Sequence, residues 1–416
     1  MEVVLELEAP VGVETAAAAV RERLVGFVGE VTRWLPLARQ RENAGLYVRG
    51  LIEDGRRKSL QPTLFRLGED GARYESMQQF LADSPWDPVL LVRACAERVA
   101  PEIGVEAWVL DDTGFPKDGR RSPGVKRQYS GTLGKIGNCQ IGVSVHAVGS
   151  RGTVPLGWAL YLPEDWCADS ERRARAKIPE QIAFKTKPEL GVGLVEHAAG
   201  WGIPAAPVLG DQAYGDNTPL RERLHLAGRD YVLAVAAPTK VFAPETLFVV
   251  PEPTGARGRP KSRALPDSEP VTIGELVARV GQDNAQTVTF RDGPEGEPIS
   301  SRFVFVRVRA AHDREKATPW PLREEWLIAE WPPDRDMPID YWISNLPADT
   351  EPERLARLAR LRWKIELDYK QLKGELGLDH YEGRSWLGWH HHTALVTCAH
   401  AFLTLERLCP KAPRPV

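Results

Sequence analysis

The chain has 416 residues, 43% of them hydrophobic and 27% charged, an ordinary globular composition with room for two or three domains. It excludes collagen-like, largely disordered and disulfide-stapled classes. Lys and Arg number 54 against 57 Asp and Glu, a formal net charge of −3, so any surface that attracts a polyanion has to be local.

No apolar run reaches bilayer length, and the opening MEVVLELEAP lacks the basic-then-apolar layout of a leader, so a cytoplasmic protein is expected. Cys95, Cys139, Cys167, Cys398 and Cys409 form no C-x-x-C pair, and neither a disulfide framework nor a structural zinc is indicated. Residues 1–101 carry apolar side chains at helical spacing, broken by Gly and Pro, and predict an all-helical N-terminal domain. Within it, DGARYESMQQFLADSPW places Gln78 and Gln79 on a short amphipathic helix. That layout suits a helix-turn-helix DNA reader, and plain helical packing explains it as well.

From Glu106 the texture turns to β-rich runs (AWVLDD, NCQIGVSVHAV, VPLGWALYLP, APVLGDQ, DYVLAVAA) with helical stretches between the later ones. Residues 102–237 therefore predict a mixed α/β domain. Residues 238–345 hold a Pro/Gly/Arg-rich stretch and then more β-prone runs, and have the look of a mainly β insertion. Residues 346–416 contain the longest helical signal, EPERLARLARLRWKIELDYKQLKGELG, followed by an apolar helix.

Three acidic positions stand out. Asp111 and Asp112 follow the apolar run AWVL and precede a glycine turn, and Asp211 follows APVLG in the same manner. Carboxylates at strand ends sit at the crevice where α/β sheets place ligands, although turn formers occupy such ends too. Glu366 lies in the long helix, where Arg362, Glu366 and Lys373 fall near one stripe with Tyr369 and Lys370 beside it. A solvated Arg/Glu face explains that stripe equally well. Apolar neighbours on other faces lead one to expect a partly enclosed Glu366.

Three carboxylates without a matching His or Cys set suggest oxygen ligands for a hard cation, magnesium first, and hence phosphodiester chemistry. Basic material stands nearby: Lys117, Arg120, Arg121, Lys126, Arg127 and Lys135 face only Asp118 in KDGRRSPGVKRQYSGTLGK, as a phosphate-contacting loop would. Farther on, Arg257, Arg259 and Lys261 in GARGRPKSR have the Arg-Gly-Arg-Pro core of an AT-hook, a minor-groove element that otherwise reads as a solvated linker.

The series VLDDTGFPKDG, RQYSGTLGKIGNCQIGVSVHA, GDQAYGD, RLRWKIELDYKQLKGELGLDHYEG and RSWLGWHHH resembles the bacterial DDE insertion-sequence transposases. The resemblance covers nearly all of residues 40–405. It implies an RNase H-like catalytic core interrupted by a β insertion before the glutamate-bearing helix; the helical residues 1–101 ahead of that core are expected to be its DNA-binding domain. The family's triad falls on Asp112 or Asp111, on Asp211 and on Glu366, with Asp112 favoured for the first metal ligand. Strand alternation sends the two neighbouring aspartates to opposite faces, so that one serves.

The family signature Tyr-x2-Arg-x3-Glu-x6-Lys matches at Arg362, Glu366 and Lys373, with Ala359 in the tyrosine position. The resemblance implies phosphate contacts for Arg362 and Lys373 and a base-assisting role for Trp342, which as a strand tryptophan is equally expected in the core. It further implies Mg²⁺, with Mn²⁺ as a substitute, double-stranded DNA as partner, a homodimer on DNA and a nucleoid-associated location. The alternative is a domesticated or regulatory DNA-binding protein with an inactive core. An aspartic protease, suggested by Asp112-Thr113-Gly114, lacks the second such signature its paired carboxylates require. The triple His390, His391 and His392 has no role assigned by this reading; successive helical residues diverge by about 100° and cannot share a simple metal face.

Overall fold

The computed structural model describes residues 11–69, 71–250, 264–293, 295–311 and 323–409, with side chains from residue 17. Arg257, Arg259 and Lys261, the AT-hook residues, lie outside these.

Five helices come first: α1 (Val11–Val31), α2 (Ala38–Ile52), α3 (Leu60–Arg66), α4 (Gly71–Ala82) and α5 (Pro88–Ile103). Helix α5 shows how local chemistry sets such bounds. Asp87 accepts a hydrogen bond from the Val89 amide, Pro88 occupies the first turn, and Gly104 ends the helix at φ 64°, a left-handed position that favours glycine. On α4, Met77, Phe80 and Leu81 are buried while Gln78 and Gln79 are exposed.

The sheet begins with β1 (Val105–Pro116), β2 (Lys126–Ser130), β3 (Lys135–Gly149) and β4 (Thr153–Leu160). After two short helices, α6 (Glu164–Ala168) and α7 (Ser170–Arg175), come α8 (Lys187–Ala199), β5 (Val208–Gly210), α9 (Gln212–Gly215), α10 (Thr218–Leu226) and β6 (Tyr231–Ala234). Next are β7 (Lys240–Phe242), β8 (Phe248–Val249), β9 (Leu265–Pro266), β10 (Val271–Thr272), α11 (Ile273–Val280), β11 (Gln286–Asp292), β12 (Pro298–Ala310), β13 (Glu325–Glu330) and β14 (Asp340–Ser344). Helices α12 (Pro352–Arg360), α13 (Trp363–Gly374) and α14 (Trp386–Leu408) close the chain.

Strand β3 runs antiparallel to both β4 and β1, and β5 and β6 continue the sheet parallel to β1. The result is a mixed α/β fold whose strand order, β4-β3-β1-β5-β6, is consistent with an RNase H-like sheet. Beyond β6, β14, β13 and β12 add antiparallel to the same sheet, whereas β8 and β9 pair with each other in a separate two-stranded sheet. The N-terminal helices likewise share one apolar core with the sheet, with Leu51, Met77 and Val99 in the same cluster as Trp108, Leu209 and Phe402. No helix among the described residues is long and apolar enough to cross a membrane.

The histidine triplet explains part of that junction. His391 stacks on Trp86 with ring centroids 3.7 Å apart, and His392 accepts from the Tyr47 hydroxyl at 2.9 Å through Nδ1. His390 donates to the Trp386 carbonyl at 2.9 Å. Burial pushes His390 and His392 down to about 4, so these are neutral packing groups that fasten α14 to its surroundings.

Candidate active site

Strand β1 does not stop at Leu110 but continues through Asp111 and Asp112 to Pro116, because β3 accompanies it along its whole length. The parallel neighbour β5 ends sooner, at the pair Leu110–Gly210. A crevice therefore opens along the free edge of β1 at the first aspartate, even though that aspartate lies in mid-strand.

Asp211 follows Gly210 directly. Its carboxylate caps α9, accepting from the Ala213 amide at 2.9 Å and the Tyr214 amide at 3.4 Å. A side chain at Gly215 would run into the Ala234 carbonyl, so only glycine lets this turn lie flat against β6 and fixes where Asp211 points.

The two aspartates of β1 face different neighbours. Asp111 is opposite Ser144 on β3, whose hydroxyl is 2.8 Å from the Tyr369 hydroxyl on α13. Asp112 points to the other face, where the Lys187 ammonium of α8 pairs with it.

Helix α13 carries Glu366, and the long helical signal of the sequence is divided just before it. Leu361, Lys364 and Ile365 donate to carbonyls three residues back rather than four, a tightened turn that separates α12 from α13. That turn aims Arg362 at the crevice, where its guanidinium donates to Asp111 at 2.9 Å and to Glu366 at 2.8 Å. Ile365 and Leu372 are buried as the periodicity predicts, but the Glu366 side chain is 61% exposed. It stands at the rim, less enclosed than its apolar neighbours suggest.

Helix α13 is held down by Asp368, which accepts from His146 Nδ1 at 2.8 Å and from the Thr153 hydroxyl at 2.6 Å. Burial of this carboxyl opposes its charge, yet His146 and His400 hold it well below the usual carboxylate range. Helix α12, which leads into α13, is fixed through its last turn to the start of β1 by a two-pronged pair of Arg357 with Glu106, at 2.5 and 2.8 Å.

Electrostatics mark the crevice as short of positive charge. Burial pushes Asp111 up to about 7; Arg362 opposes the rise, while Asp211 and Asp112 add to it. Asp211 is also raised, first by burial and, against the pull of Arg362, by the Asp112 charge. Burial works against the Arg362 charge, and Asp111, Glu366 and Asp211 more than offset it. Among the described residues no group of three or more His, Cys, Asp or Glu side chains stands at metal-ligating spacing; the guanidinium lies between Asp111 and Glu366.

A cleft of about 900 Å³ adjoins these groups and is lined by Asp211, Arg362, Glu366, Ala359 and Trp342. Trp342, in β14, is 6% exposed and forms part of its wall. Ala359, where the signature has tyrosine, brings no phenol from α12 to that wall, which Tyr341 of β14 also lines. Lys373 donates to the Gly114 carbonyl at 2.7 Å and the Thr132 hydroxyl at 3.0 Å, and burial pushes it down to about 8.

Of the basic loop, Lys117 donates to the Tyr381 carbonyl at 2.7 Å and Lys126 pairs with Asp165 at 3.0 Å. Arg120, Arg121, Arg127 and Lys135 are exposed. Sequence reasoning missed Lys187, Asp368, His146 and Thr153. A Thr-Lys-Pro helix start announces α8 at Lys187, but nothing in the spacing says that its lysine reaches Asp112.

A family model described as DDE superfamily endonuclease matches residues 30–297, and one described as transposase DDE domain matches residues 194–402. The chain is 30% identical over 199 residues to a probable transposase for insertion sequence element IS701 from Microchaete diplosiphon. That match covers 46% of this chain and 49% of the relative, so the chain spans about half the length of the curated relative it matches. The chain belongs to the DDE superfamily of endonucleases.

Proposed function

We propose that this protein is the transposase of an insertion sequence, which hydrolyses phosphodiester bonds at the element's ends and joins the freed 3′-hydroxyl to target DNA. The observation that carries the reading is the meeting of Asp111, Asp211 and Glu366 around one arginine at the open edge of β1.

The donors fit a hard divalent cation in kind, being carboxylate oxygens only, and Mg²⁺ or its substitute Mn²⁺ matches them. They fit in charge as well. The raised Asp111 and Asp211 are carboxyls whose ionised forms lack sufficient compensation, which a cation would supply. Asp111 rather than Asp112 is the β1 ligand in this account, because it shares its face with Glu366 while Asp112 is engaged by Lys187 on the other. When bound, such an ion supplies activation of the attacking oxygen and stabilisation of the leaving one.

The chain's own residues perform the rest. Gly210 and the α9 turn set Asp211, and Asp368 with Tyr369 sets α13 and thereby Glu366. Arg362 holds the carboxylates together and, once released from them, is placed to meet a phosphate. Lys373 stands where a phosphate on the far side of Glu366 would pass, and Trp342 offers an apolar wall for a nucleotide.

Lys117, Arg120, Arg121, Lys126 and Arg127 extend the contact along the DNA, and Arg257, Arg259 and Lys261 add a minor-groove element. In the same reading residues 1–101 bind DNA, residues 102–237 and 346–416 form the catalytic core, residues 238–345 are its insertion, and two copies act on paired ends.

The test is strand cleavage of end-repeat DNA with Mg²⁺ by wild type, Asp211→Ala and Glu366→Ala. Cleavage by the wild type alone supports the reading. Equal cleavage by all three removes the assignment of these carboxylates, and DNA binding without cleavage by the wild type is the result of a domesticated binding protein.

A further inference from the structure

We propose that a second cleft, formed by residues 56–59, 116–122 and 379–384, seats the backbone of duplex DNA about 17 Å from the carboxylates. This deepens the DNA-cutting reading and rests on it.

The cleft has a volume of about 660 Å³ and is lined by Arg56, Arg57, Lys117, Arg120, Arg121 and Arg384. These come from three chain segments far apart in sequence: the α2–α3 connection, the β1–β2 loop and the loop before α14. The second is the longest basic run of the three in the sequence, and the first holds Arg56, Arg57 and Lys58 in succession. The fold assembles the other two against it, tying them through Lys117, which donates to the Tyr381 carbonyl at 2.7 Å, and through the Lys58 amide, which donates to His380 Nδ1 at 3.1 Å.

Three acids, Asp118, Asp379 and Glu382, line the same cleft, and two of them are already engaged. Asp379 and Glu382 support the charge of the half-buried Lys117 against its burial, and Glu382 also lies 3.5 Å from Arg57 with both side chains at least 70% exposed. An ion pair so open to water is readily exchanged for a phosphate. Arg56, Arg120, Arg121 and Arg384 are exposed and have no ion pair among the described residues. A guanidinium cluster of this kind suits phosphate oxygens, which its fork can meet with two donors.

The location supplies the geometry. Pro116 ends β1 and lines this cleft, five residues beyond Asp111 on one continuous strand. At about 3.4 Å per residue the separation is about 17 Å, the length of about five base pairs of duplex. A duplex whose scissile phosphate lies at Asp111 and which runs in the direction of β1, over Lys373 and Thr132 where they cover Gly114, therefore brings its backbone to the cleft about five base pairs away.

The experiment compares the full chain with the triple variant Arg56→Ala, Arg57→Ala, Arg384→Ala in fluorescence anisotropy with a 30-base-pair duplex across a salt series. Each lost phosphate contact flattens the log-log salt slope by about 0.9, so the triple variant should fall short of wild type by about 2.7. A control triple, Arg151→Ala, Arg175→Ala, Arg335→Ala, removes equal charge elsewhere and should keep the wild-type slope. On end-repeat DNA, trimming the flank from ten base pairs to three should weaken wild type at least tenfold and leave the triple variant unchanged.

A triple variant with the wild-type slope, or one that still responds to trimming, overturns the cleft while leaving the cutting reading intact. A wild type whose DNA binding ignores salt overturns both.

Discussion

Asp111→Asn replaces a carboxylate by its neutral isostere at the point where charge is most strongly opposed. The carboxyl rises from 3.8 to about 7 on folding, and at about 1.4 kcal/mol per pH unit this places about 4 kcal/mol against its ionised form. The folded protein holds a proton there that the unfolded chain releases, so between about pH 4 and pH 7 the wild type loses stability as pH rises.

The asparagine variant is exempt from that loss. In metal-free buffer at pH 8 it should be more stable than wild type by up to about 4 kcal/mol, and the difference should vanish near pH 4. For a chain of 416 residues, at about 2.1 cal/mol/K of unfolding entropy per residue, this is about 5 °C in Tm. Differential scanning fluorimetry with a chelator present, run from pH 4 to pH 8, reads it directly. Asp112→Asn loses the Lys187 pair on the other face and should show no gain. An Asp111→Asn variant that is less stable at pH 8, or the same pH-dependent gain in Asp112→Asn, would refute the account of the site's electrostatics.

Two other perturbations probe what holds the site in place. Asp368→Ala leaves His146 and Thr153 without their buried acceptor and should cost about 3 kcal/mol in urea unfolding at pH 7. Since the folded carboxyl sits below its ordinary value, that contribution belongs to pH above about 4 and should fade as pH falls further; a penalty equal at pH 3 and pH 7 would count against it. His391→Ala removes the stack on Trp86 and the hydrogen bond to the Leu81 carbonyl, worth about 2 kcal/mol together. Limited proteolysis should then cut first within the N-terminal helices, and an unchanged cleavage pattern would contradict the fastening role.

Much of the site was legible because its parts have local signatures. An apolar strand followed by acid and glycine marks Asp111, Asp112 and Asp211, and helical spacing puts Arg362, Glu366 and Lys373 on one stripe. What stayed illegible depends on neighbours. Alternation separates Asp111 from Asp112 without saying which face α13 will cover, and that choice belongs to the packing of Tyr369 on Ser144.

A continuous helical period gives no sign of the turn at Leu361, because Arg362 is compatible with helix and leaves the i−4 pattern in company with its contact to Asp111. The β-prone runs of residues 286–344 were visible as strands, but their continuity with the core sheet is a matter of long-range pairing. Three adjacent histidines suggest chemistry in a sequence; here each has a different packing partner.

The central claim is that Asp111, Asp211 and Glu366 act as one cation-binding set. Mn²⁺ titration of the full chain followed by electron paramagnetic resonance tests it without depending on any DNA sequence. The account predicts saturable binding by wild type and by Asp112→Asn, and at least tenfold weaker binding by each of Asp111→Asn, Asp211→Asn and Glu366→Gln. Equal Mn²⁺ affinity in all five proteins, or a loss confined to Asp112→Asn, would contradict it.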